Sequence, residues 1–210
     1  MVTSVTKITE SELTDRIFAD HTWRVVLGLP PRADHTWLHR LRVTLPSHER
    51  KGRSRGDVDI LAMPPKRPDA AVAAEVKCVR VPASSFKTLE PNGLKNWQKG
   101  IQQANRLEEL GFHQVYIYLF MVIDSREHNG GEWTYSGATP ELLERVRSSL
   151  DLGKLHPRVG MVENQFVQPV DRPPLELGTA ASNIVRMAGA VSQPDGLTAW
   201  VRDQFTPPAI

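Results

Sequence analysis

Two carboxylates suited to a cation site, and a lysine near them, fall in two short segments of this chain. Asp59 lies in GDVDIL at positions 56–61, and Glu75 and Lys77 lie in AEVK at positions 74–77. Carboxylate oxygens are the ligands that Mg²⁺ prefers, and Mg²⁺ usually takes only one or two protein carboxylates together with water and phosphate oxygens. A lysine beside them is suited to orienting or deprotonating an attacking water and to offsetting charge in the transition state.

The two segments are predicted to be strands paired through a tight turn. Residues 58–63 and 70–79 are short apolar runs separated by PPKRPD, a turn rich in proline. Pairing about this turn brings Asp59 close to Glu75. Glu75 and Lys77 point to the same face, because residues two apart in a strand share a face.

The whole chain predicts an α/β domain with a mixed sheet. Apolar periodicity predicts helices at 10–20, 96–110, 140–150, 181–188 and 197–205, and further strands at 37–45, 115–123 and 158–167. The run at 115–123 is nearly all apolar, which is typical of a central strand covered on both faces. We expect a core domain at 1–124 and a C-terminal α+β extension at 125–210 that packs on it.

Composition is that of a folded globular protein. Of its 210 residues 40% are hydrophobic and 24% are charged, with a net charge of +2, which excludes a collagenous or wholly disordered chain. The single cysteine, Cys78, excludes an intramolecular disulfide and a cysteine-based zinc site, and favours a reducing, cytoplasmic location. No long apolar run or signal peptide is evident, so no membrane association is expected.

A basic segment directly precedes the first acidic one. Its cations are Arg50, Lys51, Arg53 and Arg55. They are candidates for contacts with the phosphates of a nucleic acid. The alternative interpretation is a solvated loop whose charges keep the protein soluble.

The order of these residues resembles the PD-(D/E)XK nuclease superfamily, which includes restriction endonucleases and Holliday-junction resolvases. Asp59 matches the first metal-binding aspartate of the family, Glu75 the second acidic ligand and Lys77 the catalytic lysine, while Val58 replaces the family's proline. The resemblance covers about residues 10–123. It implies a restriction endonuclease-like core, with a central mixed β-sheet flanked by helices.

The resemblance also implies a function. We expect a Mg²⁺-dependent endonuclease that hydrolyses phosphodiester bonds in DNA rather than RNA, with Mn²⁺ able to substitute. The expected partner is nucleic acid, and whether the chain acts as a homodimer or in a larger complex stays open. Three alternatives stay open at this point: a catalytically silent nucleic-acid-binding or assembly subunit that keeps the fold, a nuclease active only within a larger complex such as a bacterial defence system, and an exposed ion pair in place of a site at Glu75 and Lys77.

Several further residues are candidates for supporting roles. The backbone carbonyl of Val76 is placed to complete the metal shell. The auxiliary candidates are Asp57 beside the first aspartate, Glu10 or Glu12 in the first helix, and Gln98 or Gln102 in the helix at 96–110.

Other side chains with reactive chemistry are expected to be structural. His35 and His39 share a face of a predicted strand but lie too far apart to bind one small ion. Cys78 and Trp97 are expected to pack in the core.

Overall fold

The computed structural model describes residues 8–19, 35–43, 57–124, 137–167 and 178–206. The helices are α1 (Glu10–Ala19), α2 (Ser85–Thr88), α3 (Leu94–Leu110), α4 (Pro140–Ser149) and α5 (Asp195–Phe205). The strands are β1 (Thr36–Arg42), β2 (Asp57–Met63), β3 (Val72–Val81), β4 (Gln114–Ile123), β5 (Gly160–Val167) and β6 (Gly178–Arg186). Single 3-10 turns lie at Pro68–Ala70 and Leu152–Lys154. The predicted α/β fold class is confirmed.

The described strands form one mixed sheet in the order β1-β2-β3-β4-β5-β6. β2 is antiparallel to both β1 and β3, which confirms the predicted pairing of the second and third strands. β3, β4 and β5 run parallel, and α3 provides the crossover between the first two of these. β6 is antiparallel to β5 at the end of the sheet.

β4 is the centre of the sheet, as its sequence predicts. Every residue from Val115 to Ile123 is buried, because the strand is paired on both sides and covered on both faces. One face packs against α3, α4 and α5 through a core that includes Trp97, Leu107, Val146 and Trp200. The other face carries Tyr116, Tyr118, Phe120 and Phe166, with Ile8 and Leu13 from the start of the chain.

The prediction of a helix at 181–188 is wrong, because this segment belongs to β6. Alanines begin the segment and favour a helix locally, but Ile184 and Val185 are β-branched. Pairing with β5 from Val162↔Ile184 to Val167↔Gly178 decides the outcome. Tertiary pairing here overrides a weak local propensity.

The predicted boundary at residue 124 does not divide the sheet. β5 and β6 both follow residue 124, and they continue the sheet directly from β4. The core on the α3 face likewise joins Trp97 to Leu142 and Trp200. Residues 137–167 and 178–206 are therefore part of the core and not a layer added to it.

Trp97 joins the two halves of the chain at one point. Its side chain is 1% exposed, and its Nε1 donates a hydrogen bond to the carbonyl of Leu150, which follows α4, at 2.6 Å. This bond spans a sequence separation of 53 residues. Trp97 is therefore a core residue, as predicted. None of the described helices has the length and hydropathy needed to cross a membrane.

Replacing Trp97 by phenylalanine should destabilise the whole fold. We expect the free energy of unfolding to fall by about 2–4 kcal/mol, because a buried carbonyl loses its donor and a cavity remains. Urea denaturation followed by circular dichroism measures this change, and it should show a single transition because both halves share one core. The control is Gln98→Ala at the neighbouring exposed position, where the change should stay within about 0.5 kcal/mol. An equal loss in both variants would contradict the role given to Trp97.

Candidate active site

The candidate site begins where β2 and β3 separate. The two strands pair only at Ile60↔Ala74, Leu61↔Ala73 and Ala62↔Val72. β3 continues beyond this point and stays paired with β4 on its other side along its full length. The N–H groups of β3 that point toward β2 must therefore find other partners, because an unpaired buried N–H group is costly.

Side-chain carboxylates accept the hydrogen bonds of β3 that β2 no longer accepts. The Val76 N–H donates to Asp59 Oδ2 at 2.8 Å, and the Cys78 N–H donates to Glu10 Oε2 at 3.2 Å. Two residues further along β3, Arg80 exchanges two backbone hydrogen bonds with Asn92. Two acidic side chains are thus fixed at the edge of β3 by the backbone itself.

Glu75 and Lys77 lie beside these carboxylates on the face of β3 that packs toward α3. Glu75 is 0% exposed and the Lys77 side chain is 12% exposed. Lys77 Nζ lies 2.5 Å from Glu75 Oε1 and donates to the Val76 carbonyl at 2.9 Å. The interpretation of this pair as an exposed surface ion pair is therefore wrong, because both side chains are buried or nearly so.

The stem of Lys77 has room only because α3 carries a glycine beside it. A Cβ added to Gly100 would lie 2.6 Å from Lys77 Cγ and 2.9 Å from its Cε. Glycine in the middle of a helix costs roughly 0.5–1 kcal/mol relative to alanine. Gly100 is therefore a site residue outside the sequence-based predictions, and the signal that points to it is an isolated glycine inside a helix.

Arg80 holds α1 against β3 so that Glu10 reaches the site. Its Nε and Nη2 donate to the Ile8 carbonyl at 3.1 and 3.0 Å. Ile8 and Leu13 bury their side chains in the core on that face of the sheet. Two residues after Ile8, Glu10 Oε1 lies 3.5 Å from Lys77 Nζ.

Glu12, the other candidate in this helix, has a structural role. Thr9 donates to Glu12 Oε2 through both its N–H and its hydroxyl, at 2.7 and 2.8 Å, and the Glu12 N–H donates to Thr9 Oγ1 at 3.2 Å. This reciprocal arrangement is a capping box at the start of α1. Of the two glutamates, the structure therefore brings Glu10 and not Glu12 to the site.

The structure leaves the other auxiliary candidates at exposed positions. Asp57 is exposed at the start of β2. Gln98 and Gln102 are exposed on α3, and each lies two positions from Gly100, which puts it about 160° away around a helix of 3.6 residues per turn. The basic segment with Arg50, Lys51, Arg53 and Arg55 lies outside the described residues.

Cys78 is structural, as predicted. It points to the face of β3 opposite Lys77 and packs in the core that contains Phe120. Burial raises the pKa of its thiol to about 12, so the reactive thiolate form is suppressed at neutral pH.

Burial dominates the electrostatics of the acidic cluster. It raises the pKa of the Glu75 carboxyl to about 8; Asp59 adds to this rise and Lys77 opposes it. Burial also raises the pKa of Glu10, with Asp59 again adding and Lys77 opposing. Burial alone would lower the pKa of Lys77, but the charges of Glu75, Glu10 and Asp59 outweigh it and raise that pKa. Lys77 is therefore held as an ammonium ion.

The donor set of this cluster fits a small divalent cation. Glu75 Oε2 is buried and has no hydrogen-bond partner, and Oε1 has only its contact with the lysine. Within the described ranges, no three acidic, histidine or cysteine side chains form a metal-holding group by themselves. Mg²⁺ does not require three, because it usually binds through one or two carboxylates and completes its shell with water and phosphate oxygens. Asp59, Glu75 and the Val76 carbonyl supply hard oxygens of that kind.

Comparison with known proteins leaves the site to be interpreted from its own residues. No family model and no curated protein matches the chain. Two chains among solved structures match it. One is the SPO1766 protein of unknown function from Silicibacter pomeroyi, with 12% identity and a TM-score of 0.33, covering 82% of this chain and 72% of that one. At this TM-score the likeness has no bearing on function.

The buried carboxyl of Glu75 should make the free energy of unfolding depend on pH. Its pKa is about 8 in the folded chain, against an ordinary value of 4.5. Below about pH 4.5 both folded and unfolded chains carry this proton, so the free energy of unfolding is unaffected. As the pH rises toward 8, the unfolded chain releases the proton and the folded chain keeps it, so the folded state loses stability.

Replacing Glu75 by glutamine removes this loss. With chelator present, we expect Glu75→Gln to exceed the wild-type chain in free energy of unfolding by about 2–4 kcal/mol near pH 8.5, and to differ little near pH 4.5. Denaturant titrations at both pH values measure the difference. Glu109→Gln, an exposed position on α3, should show no such pH dependence. A Glu75→Gln variant that is less stable at pH 8.5 than at pH 4.5, relative to wild type, contradicts the assignment.

Proposed function

We propose that this chain is a metal-dependent nuclease that hydrolyses phosphodiester bonds in DNA. The observation that supports this proposal is the buried Glu75 carboxyl with its unpartnered Oε2, beside Asp59 and Lys77 at the point where β2 and β3 separate. A carboxyl kept in this state lowers the stability of the fold at neutral pH and above. Residues that cost stability in this way are frequent at functional sites.

The residues that would hold the metal are Asp59, Glu75 and the Val76 carbonyl. When bound at such a site, Mg²⁺, or Mn²⁺ in its place, would act as a Lewis acid and would lower the pKa of a bound water. The hydrogen bond from the Val76 N–H keeps the Asp59 carboxylate in place before any ligand arrives. Pre-organisation of this kind lowers the cost of assembling a site.

Lys77 provides the positive charge that the reaction itself needs. Attack on a phosphodiester develops negative charge on the phosphate oxygens, and a nearby ammonium ion offsets it. The three carboxylates around Lys77 raise its pKa, so the lysine acts as a charge and a hydrogen-bond donor. Its stem is confined between β3 and Gly100 of α3, which limits where its ammonium can lie.

DNA is proposed as the substrate because of the basic segment that precedes Asp59 in the sequence and because of the resemblance in sequence. Arg55 lies four positions before Asp59 in the chain, at the end of the basic segment. Cations in this segment are suited to phosphate contacts that attract a polyanion to a cluster which is itself acidic. We further propose that cleavage is endonucleolytic.

The proposal is tested by cleavage of plasmid, linear, branched and single-stranded DNA, with an RNA panel beside it, in Mg²⁺ and in Mn²⁺. We expect cleavage by the wild-type chain to require the metal and to fall by about 100-fold or more in Glu75→Gln and Lys77→Met, because each removes a group that acts on the reacting phosphate. The matched controls are Glu109→Gln and Lys99→Met, the same changes at exposed positions of α3, which should keep full activity.

Two results would overturn the proposal. Full activity in Glu75→Gln and Lys77→Met would separate any cleavage from this cluster. Salt-sensitive DNA binding by the folded chain, without cleavage of any substrate, would instead favour a binding or assembly subunit.

Gly100 offers an independent test that leaves every charged group in place. Gly100→Ala must displace the Lys77 stem, and a misplaced group of this kind commonly costs about 100-fold in rate. The control is Gly196→Ala in α5, where an added Cβ meets nothing within 4 Å. We expect cleavage to fall in the first variant and to be unchanged in the second. Equal activity in the two variants would show that the placement of the Lys77 stem is unimportant.

A further inference from the structure

Lys77 Nζ contacts oxygens of two of the three groups that the proposed function gives to a metal ion. It lies 2.5 Å from Glu75 Oε1 and 2.9 Å from the Val76 carbonyl oxygen. A third oxygen, Glu10 Oε1, lies 3.5 Å away. An ammonium group has three N–H donors, and here three oxygens surround it.

When its carboxyls are ionised, this cluster is not neutralised by the ammonium alone. Glu10, Asp59 and Glu75 all act on Lys77 electrostatically, so three acidic groups surround one cation. Burial of such a cluster away from water makes an excess of like charge costly. In that ionised form the cluster favours a further positive charge, although the ammonium already contacts Glu75 Oε1 and the Val76 carbonyl oxygen.

The lysine has little freedom to share those oxygens with a second cation. Its side chain is only 12% exposed, and its stem fills the space left by the missing side chain of Gly100. Two cations that contact the same oxygens repel each other strongly in a partly buried site. An ion that binds Glu75 and the Val76 carbonyl must therefore move the ammonium away from them.

We infer that the Lys77 ammonium takes the place of the divalent cation in the metal-free chain, and that metal binding displaces it. This inference rests on the proposed function only in assuming that the cluster binds a divalent cation. It gives Lys77 two opposed effects: the residue supports phosphodiester cleavage, yet it weakens the binding of the metal. A lysine that merely assisted the reaction would not compete for the metal.

The first experiment measures metal affinity without nucleic acid. Mn²⁺ is titrated calorimetrically into the wild-type chain and into Lys77→Met, which keeps the length of the stem and removes its charge. We expect Lys77→Met to bind Mn²⁺ about tenfold more tightly or better, because a like charge has been removed from a partly buried site. Lys99→Met, the same change at an exposed position of α3, should bind as the wild-type chain does. Equal or weaker binding by Lys77→Met overturns the inference.

The second experiment uses the unaltered chain, so it does not depend on the folding of a variant. Nuclear magnetic resonance of the lysine ammonium groups reports whether the Lys77 signal changes when diamagnetic Mg²⁺ is added. Displacement should shift this signal and speed its proton exchange with water, while the signal of Lys99 stays unchanged. An unmoved Lys77 signal in the metal-saturated chain overturns displacement, even if Lys77→Met binds Mn²⁺ more tightly.

These outcomes separate the inference from the proposed function. Metal binding that competes with Lys77, in a chain that cleaves no nucleic acid, supports the inference and overturns the nuclease. Cleavage that depends on Glu75, in a chain whose Lys77 signal is unmoved by Mg²⁺, supports the nuclease and overturns the inference. Absence of metal binding by the folded chain overturns both.

Discussion

The separation of β2 from β3 is the constraint on which the candidate site depends. β3 pairs with β4 along its whole length but with β2 at only three positions. A strand inside a sheet can lose a neighbour only if its N–H groups find other acceptors. Asp59 and Glu10 are those acceptors, so the same hydrogen bonds that complete the fold also fix two carboxylates at one place.

Glu75 differs from these two carboxylates because the fold does not satisfy it. The backbone N–H groups hold Asp59 and Glu10, whereas Glu75 is fully buried with an unpartnered Oε2. Its position is imposed by β3, which is locked to β4 and covered by an apolar core on both faces. The cost of burying this carboxyl is therefore offset by the surrounding core, and this departure from core rules in a well-packed region is what supports the proposal of a functional site here.

Local patterns predicted much of this arrangement, and long-range contacts account for the rest. Apolar runs and the proline-rich turn predicted the pairing of β2 with β3, and the period of two put Glu75 and Lys77 on one face. The sequence leaves open whether Glu10 or Glu12 reaches the site, because the outcome depends on the contact between Glu10 and Lys77, which are 67 residues apart. β6 was mistaken for a helix for the same reason, since only its pairing with β5 makes it a strand.

The space that the Lys77 side chain occupies explains why the helix beside it contains a glycine. The apolar stem of Lys77 is nearly enclosed by protein and runs along the surface of α3. Any side chain larger than hydrogen at position 100 would collide with this stem. Glycine lowers the stability of the helix, but the buried face around it, with Trp97, Ile101 and Ala104, supplies ample apolar packing. The helix can therefore tolerate this residue where an isolated helix would lose its structure. The position of the ammonium among its oxygens follows from that tolerance, so the chemistry of the cluster depends on the packing of α3 as much as on its own charges.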